Sequence, residues 1–343
     1  MKAVIVRHGR LRVDDVPCPK PTPYQCLVRT LYAATCNETD RRFIERSAEK
    51  PLILGHESVG HVVEVGGRVR HFNEGDFCLR PTAVYPGQTL GDVGCGLGGF
   101  SEFGLVTDVA AAEADGVELP PAVAAYSRYQ QIVPNTIDPK DATMMVTLKE
   151  TLSWSQRAGV GKGRGVLIFG DGPVGQSFVK MAALLEAEPV VIVGHWPHRL
   201  ERATKLGAHE TLNRKEKPIA ESCPDRIADV VIDAVGKYEL IQEAFPLMRE
   251  HAIYTVYGMT GDRQVSFEMG TGPRQWRLVF MKMDEAETHP QIVDWILAGK
   301  LDPSLFYDRV MPAARAAEAF ELLAARKANK IVLDFSSWRL AAY

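Results

Sequence analysis

Gly165-Val166-Leu167-Ile168-Phe169-Gly170-Asp171-Gly172-Pro173-Val174-Gly175 is the stretch on which the reading of this chain turns. A short apolar run ends in a G-x-G-x-x-G pattern, and residues 174–187 continue it with helical periodicity. Between a strand and a helix, each glycine has a physical task. Gly170 allows a tight turn, Gly172 lets backbone approach a pyrophosphate, and Gly175 permits close packing of helix on strand. Pro173 and Val174 open the helix, whose unpaired N–H groups suit an anion. The expectation is a dinucleotide site built from these five residues.

Working outward, strands at 165–169, 190–193, 229–233 and 252–257 alternate with helices at 141–158, 174–187, 197–206 and 237–250. A last strand–helix pair lies near 277–297. Such alternation implies an α/β fold with a parallel, doubly wound sheet of the Rossmann kind. Gly258, just after the strand 252–257, joins the expected cofactor site. Before about residue 106 the rhythm differs: short strands at 2–6, 25–31, 58–65 and 75–79 are separated by Pro, Gly and Asn turns, as in a partly barrel-like β unit. A helix at 313–325 and a strand at 330–335 are expected to pack back on that unit. At 343 residues the chain exceeds the usual single core, so two domains are expected, 1–136 with 301–343, and 137–300.

Hydrophobic residues make up 46% of the chain, charged residues 24%, and the formal net charge is −3, which offers nothing to nucleic acid or an anionic membrane. A small molecule is the expected partner. No apolar run approaches the roughly 20 residues of a membrane span, and the opening Met1-Lys2-Ala3-Val4-Ile5-Val6 reads as a strand rather than a signal peptide, so a cytoplasmic location is expected. The six cysteines (Cys18, Cys26, Cys36, Cys78, Cys95, Cys223) show no C-x-x-C spacing, which argues against a disulfide framework and a ribbon-type zinc.

The strand after the glycine motif ends Val193-Gly194-His195-Trp196-Pro197-His198-Arg199. An acidic side chain about 20 residues beyond the glycines normally holds the ribose 2′-hydroxyl of NAD. None stands here, whereas His195 and Arg199 offer donors and positive charge to a 2′-phosphate, so NADP(H) is expected over NAD(H). Arg199 reads equally as a solvated residue on the first turn of a helix.

A second informative segment is Gly55-His56-Glu57, which follows Cys36 in the β-rich part. Thiolate, imidazole and carboxylate are the ligand types of a catalytic zinc. Taken singly, Cys36 reads as a small buried hydrophobe and His56 as a structural histidine.

Over nearly its full length the chain resembles the zinc-dependent medium-chain dehydrogenases, alcohol and polyol dehydrogenases among them. The resemblance runs through Met1-Lys2-Ala3, Cys36-Asn37-Glu38-Thr39-Asp40, Gly55-His56-Glu57, Gly60, 62–66, Gly75-Asp76, the glycine motif and Ala228-Asp229-Val230-Val231-Ile232-Asp233. It implies a GroES-like catalytic domain, one catalytic zinc on Cys36 and His56, and Glu57 as ligand or close neighbour. It further implies a remaining ligand at Glu150, the position that carries glutamate in polyol dehydrogenases, and a homodimer or homotetramer. The implied activity is interconversion of a primary or secondary alcohol, of polyol or sugar-alcohol type, and its carbonyl. Two departures stand out. An extra residue after Cys36 leaves either Thr39 or Glu38 as the proton relay. The lobe that commonly carries four structural-zinc cysteines has only Cys78 and Cys95, so no structural zinc is expected. Arg41, Arg42, Arg128 and Arg274 raise an acidic or phosphorylated substrate as a further possibility. A zinc-free NADPH reductase of activated double bonds and a non-enzymatic NADPH-binding protein are the alternatives.

Overall fold

The computed structural model describes residues 1–47, 50–222, 225–258, 266, 268 and 270–338, so Cys223 lies outside the described residues. The chain divides into two compact units, Met1–Val146 with His289–Tyr343, and Thr147–Thr288. Both junctions fall inside helices, Met145–Arg157 and Glu285–Leu297.

The second unit is built on six parallel strands in the order Glu210–Asn213, Val190–Gly194, Val166–Phe169, Ala228–Asp233, Met248–Val256, Trp276–Val279. Every residue of Val166–Phe169 and Val190–Gly194 is buried, which is why these strands read as unbroken apolar runs rather than alternating ones. From Val166–Phe169 the chain adds strands first on one side and then on the other. The order therefore reverses at the carboxyl end of that strand, where open α/β sheets bind ligands and where the glycine motif sits. The expected helix over 237–250 is shorter: Glu239–Ala244 passes into a 3-10 turn at Phe245–Leu247, because Pro246 has no N–H to continue the ladder, and Met248 already begins the next strand.

The first unit contains two sheets. One has the order Arg10–Asp15, Lys2–Arg7, Leu52–Ile53, Val93–Cys95, Thr89–Leu90. The other runs Ile132–Val133, Phe77–Leu79, Glu57–Val65, Gln25–Ala34, Ile331–Asp334, Arg309–Pro312, with Phe103–Thr107 also pairing to Gln25–Ala34. The chain's last strand is thus an interior strand of this sheet, and the helix Ala316–Ala324 buries Ala316, Ala319 and Leu323 against Val4, Val6, Ala33 and Leu54.

In the glycine-rich loop 81–99, Tyr85 is buried, with its hydroxyl 2.6 Å from Thr107 Oγ1 and donating to Gln130 Oε1 at 3.1 Å. Cys78 packs with Cys26 in an apolar cluster, and Cys95 Sγ accepts from the Leu97 amide. No helix among the described residues is long and apolar enough to cross a membrane.

Candidate metal centre and dinucleotide loop

Sheet register assembles the first site. Gln25–Ala34 pairs antiparallel with Glu57–Val65, and Ala34 stands opposite Glu57. Cys36, two residues past one strand, therefore meets His56 and Glu57 at the start of the other. Their ligand atoms all lie within 4.8 Å of one another, with His56 and Glu57 buried and Cys36 half-buried. A thiolate, an imidazole and a carboxylate so placed are the donors zinc takes.

Two further residues complete this site. Asp40, wholly buried on the first turn of the helix Thr39–Arg46, accepts the Cys36 amide at 2.8 Å and faces His56 Nδ1 at 3.9 Å. Neither that nitrogen nor the facing Asp40 oxygen has a hydrogen-bond partner among the described residues, a pairing suited to orienting an imidazole for a metal. Burial pushes the Asp40 carboxyl up to about 7, with His56 pulling the other way. The second is Lys330, at the start of the last strand, whose ammonium contacts Glu57 Oε2 with both side chains almost fully buried. Burial and then the Glu57 charge raise the Cys36 thiol, while hydrogen bonds from the Thr39 amide and hydroxyl lower it.

Of the two relay candidates, Thr39 is the one that acts on the Cys36 thiol, lowering it, whereas the Glu38 carboxylate is turned to Arg41 and Arg42, with Nε of Arg42 at 2.7 Å. Arg41 also pairs with Glu45. Arg41 and Arg42 thus both pair with neighbouring carboxylates on the helix surface. Glu150 belongs to the second unit, where it accepts a hydrogen bond from Tyr257 at 2.9 Å.

At the dinucleotide loop, Gly170 has φ +106°, and a Cβ on Gly175 would stand 1.7 Å from the Gly170 carbonyl oxygen, so the turn and the close helix approach both require glycine. Around Gly172 a Cβ would meet nothing within 4 Å, which leaves its backbone open to a ligand. Pro173 and Val174 begin the helix Pro173–Leu184, with Gly172 as its N-cap. This cradle fits a pyrophosphate. Gly258 instead packs on the 235–236 backbone and donates to Asp233 O at 3.0 Å, so its visible task is to shape that turn.

The charge reading at the end of Val190–Gly194 needs correction. A carboxylate does stand there, supplied by Asp171 of the glycine loop: its Oδ2 accepts the amides of His195 and Trp196, each at 2.8 Å. Arg199 Nη1 lies 3.9 Å from Asp171 Oδ1, and its guanidinium lies over the Trp196 ring. Sequence reasoning missed Asp40, Lys330 and Asp171. Asp40 had a signal, four residues after Cys36 on the first turn of a helix; Lys330 had none.

Two family models match the chain, the alcohol dehydrogenase GroES-like domain over residues 22–117 and the zinc-binding dehydrogenase domain over 173–296, together more than half its length. A sorbitol dehydrogenase of Bacillus subtilis is 25% identical over 319 residues, covering 88% of this chain and 87% of its own. A probable zinc-binding alcohol dehydrogenase of Mycobacterium tuberculosis is 28% identical, covering 96% of this chain and 87% of its own. The alcohol dehydrogenase of Thermus sp. ATN1 superposes with a TM-score of 0.81 at 21% identity, over 97% of this chain and 99% of that one, which is a likeness of fold. With the clustered Cys36, His56 and Glu57 in one unit and the glycine loop at the strand-order reversal of the other, these matches make the chain a member of the zinc-dependent medium-chain dehydrogenase family.

Proposed function

We propose that the protein is a zinc-dependent, nicotinamide-dependent oxidoreductase that interconverts a primary or secondary alcohol, of polyol or sugar-alcohol type, and its ketone or aldehyde. The observation that carries this reading is the convergence of Cys36, His56 and Glu57 within 4.8 Å, in a chain that also has the glycine cradle. The polyol class rests on the sorbitol dehydrogenase relatives and on glutamate at position 150.

Zinc supplies a Lewis acid for the substrate oxygen and the nicotinamide accepts or donates the hydride. Cys36 and His56 hold the metal, with Glu57 as a further donor and Glu150 offered by the family resemblance. Asp40 orients His56. Thr39, beside Cys36 in the chain, is the better-placed carrier of the alcohol proton, since Glu38 is engaged by two arginines. The glycine loop and the helix Pro173–Leu184 orient the dinucleotide pyrophosphate. For the cofactor, Asp171 weighs against the 2′-phosphate preference expected from His195 and Arg199, and NAD(H) is the form we favour.

Elemental analysis of the purified protein tests the metal reading. About one zinc per chain is expected, falling to near zero in Cys36→Ser and His56→Ala with folding intact, together with loss of polyol-dependent NADH formation. Turnover unchanged in both variants would exclude a catalytic zinc at these residues.

A further inference from the structure

The strand Val190–Gly194 ends on a residue with no side chain, and the space beside it is filled from elsewhere. A Cβ placed on Gly194 would lie 2.5 Å from Asp171 Cβ, 2.6 Å from its Oδ2 and 2.7 Å from its Cγ. Asp171 and a side chain at position 194 are therefore mutually exclusive. The Asp171 carboxylate is held in that volume by the His195 and Trp196 amides, each at 2.8 Å, with Arg199 3.9 Å from its other oxygen. Asp171 itself is only 5% exposed.

These amides lie where the helix Pro197–Leu206 begins, with Trp196 as its N-cap and no side chain of its own serving as cap. They are donors of the kind an anion seeks. A 2′-phosphate on the adenosine ribose would need such donors and the Arg199 guanidinium, and Asp171 already takes both. It would also bring a doubly charged group against a carboxylate, and like charges so juxtaposed are strongly unfavourable. A ribose with a free 2′-hydroxyl meets no such conflict, because a hydroxyl can donate to the carboxylate.

Resting on the dinucleotide site proposed above, we infer that Asp171 is the cofactor-specificity residue of this protein. The ribose-reading carboxylate has moved from the end of the strand to the second position of the glycine loop, Gly194 makes room for it, and the site selects NAD(H) against NADP(H). Asp171 also ties the loop to the start of the next helix, so the test must separate charge from scaffolding.

Isothermal titration of NADH and NADPH into the full-length protein without substrate provides the readout. The wild type is expected to bind NADH about ten-fold or more tightly than NADPH. Asp171→Asn keeps an acceptor for the two amides and removes the charge; it should cut that ratio several-fold, chiefly by improving NADPH binding. Asp171→Gly, which also removes the Cβ that would stand 2.5 Å from a Cβ at 194, should lose the NADH preference, and Asp171→Gly combined with Gly194→Asp, which returns a carboxylate to the strand end, should restore it. Equal wild-type affinities, or a ratio unmoved in Asp171→Asn and in the Asp171→Gly pair, would overturn the assignment while leaving the dinucleotide site standing. Failure of the wild type to bind either dinucleotide would overturn the site itself.

Discussion

Replacing Lys330 with methionine isolates the charge beneath the candidate metal centre. The ammonium contacts Glu57 Oε2 where the two side chains are 6% and 3% exposed, so the variant leaves a carboxylate in a nearly dry site without its cation. Breaking a buried pair in this way costs about 3–5 kcal/mol, whereas replacing both partners by uncharged groups is often close to neutral. In metal-free protein, Lys330→Met should therefore lose about 3 kcal/mol or more of unfolding free energy, and Glu57→Gln with Lys330→Met should recover to within about 1 kcal/mol of the parent. Urea unfolding in chelator, run as a double-mutant cycle with both single variants, measures this. Zinc should shrink the Lys330→Met deficit, because a divalent cation gives Glu57 another positive partner. A single-variant loss below about 1 kcal/mol in the metal-free protein would refute the reasoning, since Glu57 would then be compensated without Lys330.

Asp233 gives a pH prediction. Burial raises its carboxyl to about 6, against hydrogen bonds from the Val235 and Gly236 amides and Tyr254 that pull it down. An acid that holds its proton more tightly when folded contributes stability that is present below about pH 4 and lost as pH rises through about 6. Asp233→Asn should remove that slope, so wild type should lose about 2 kcal/mol relative to the variant between pH 4 and 6, read by denaturant unfolding at each pH. A parallel dependence in the two proteins would contradict it. Gly175→Ala puts a Cβ 1.7 Å from the Gly170 carbonyl oxygen, so the loop must shift. NADH binding should fall at least ten-fold and stability by about 1–3 kcal/mol, checked by titration and thermal unfolding; unaltered binding would mean that the glycine turn does not position the cofactor.

The second unit was legible because its information is local. An apolar strand, three glycines and a helix start lie within one short segment, and burial of parallel strands on both faces writes itself as unbroken runs such as 190–193. Helix limits were less so: Pro246 ends one helix early, and the helix Thr39–Arg46 follows Cys36 in a stretch whose charged face masks the period. Residue chemistry also named Cys36, His56 and Glu57 as donors without saying that they meet. Their meeting depends on the register that sets Ala34 opposite Glu57, a pairing across more than twenty positions of chain.

What only the tertiary structure decided are the long-range charges. Lys330 reaches Glu57 because the last strand enters the sheet beside Gln25–Ala34, and Asp171 reaches the end of Val190–Gly194 because Gly194 leaves a space that only the folded loop can fill. The sequence by itself determined the fold class, the glycine cradle and the donor types, since these follow from periodicity, from backbone freedom at glycine and from side-chain chemistry. Which donors share a site, and which charge reads the cofactor, are matters of register and packing between distant segments, and no local pattern encodes them.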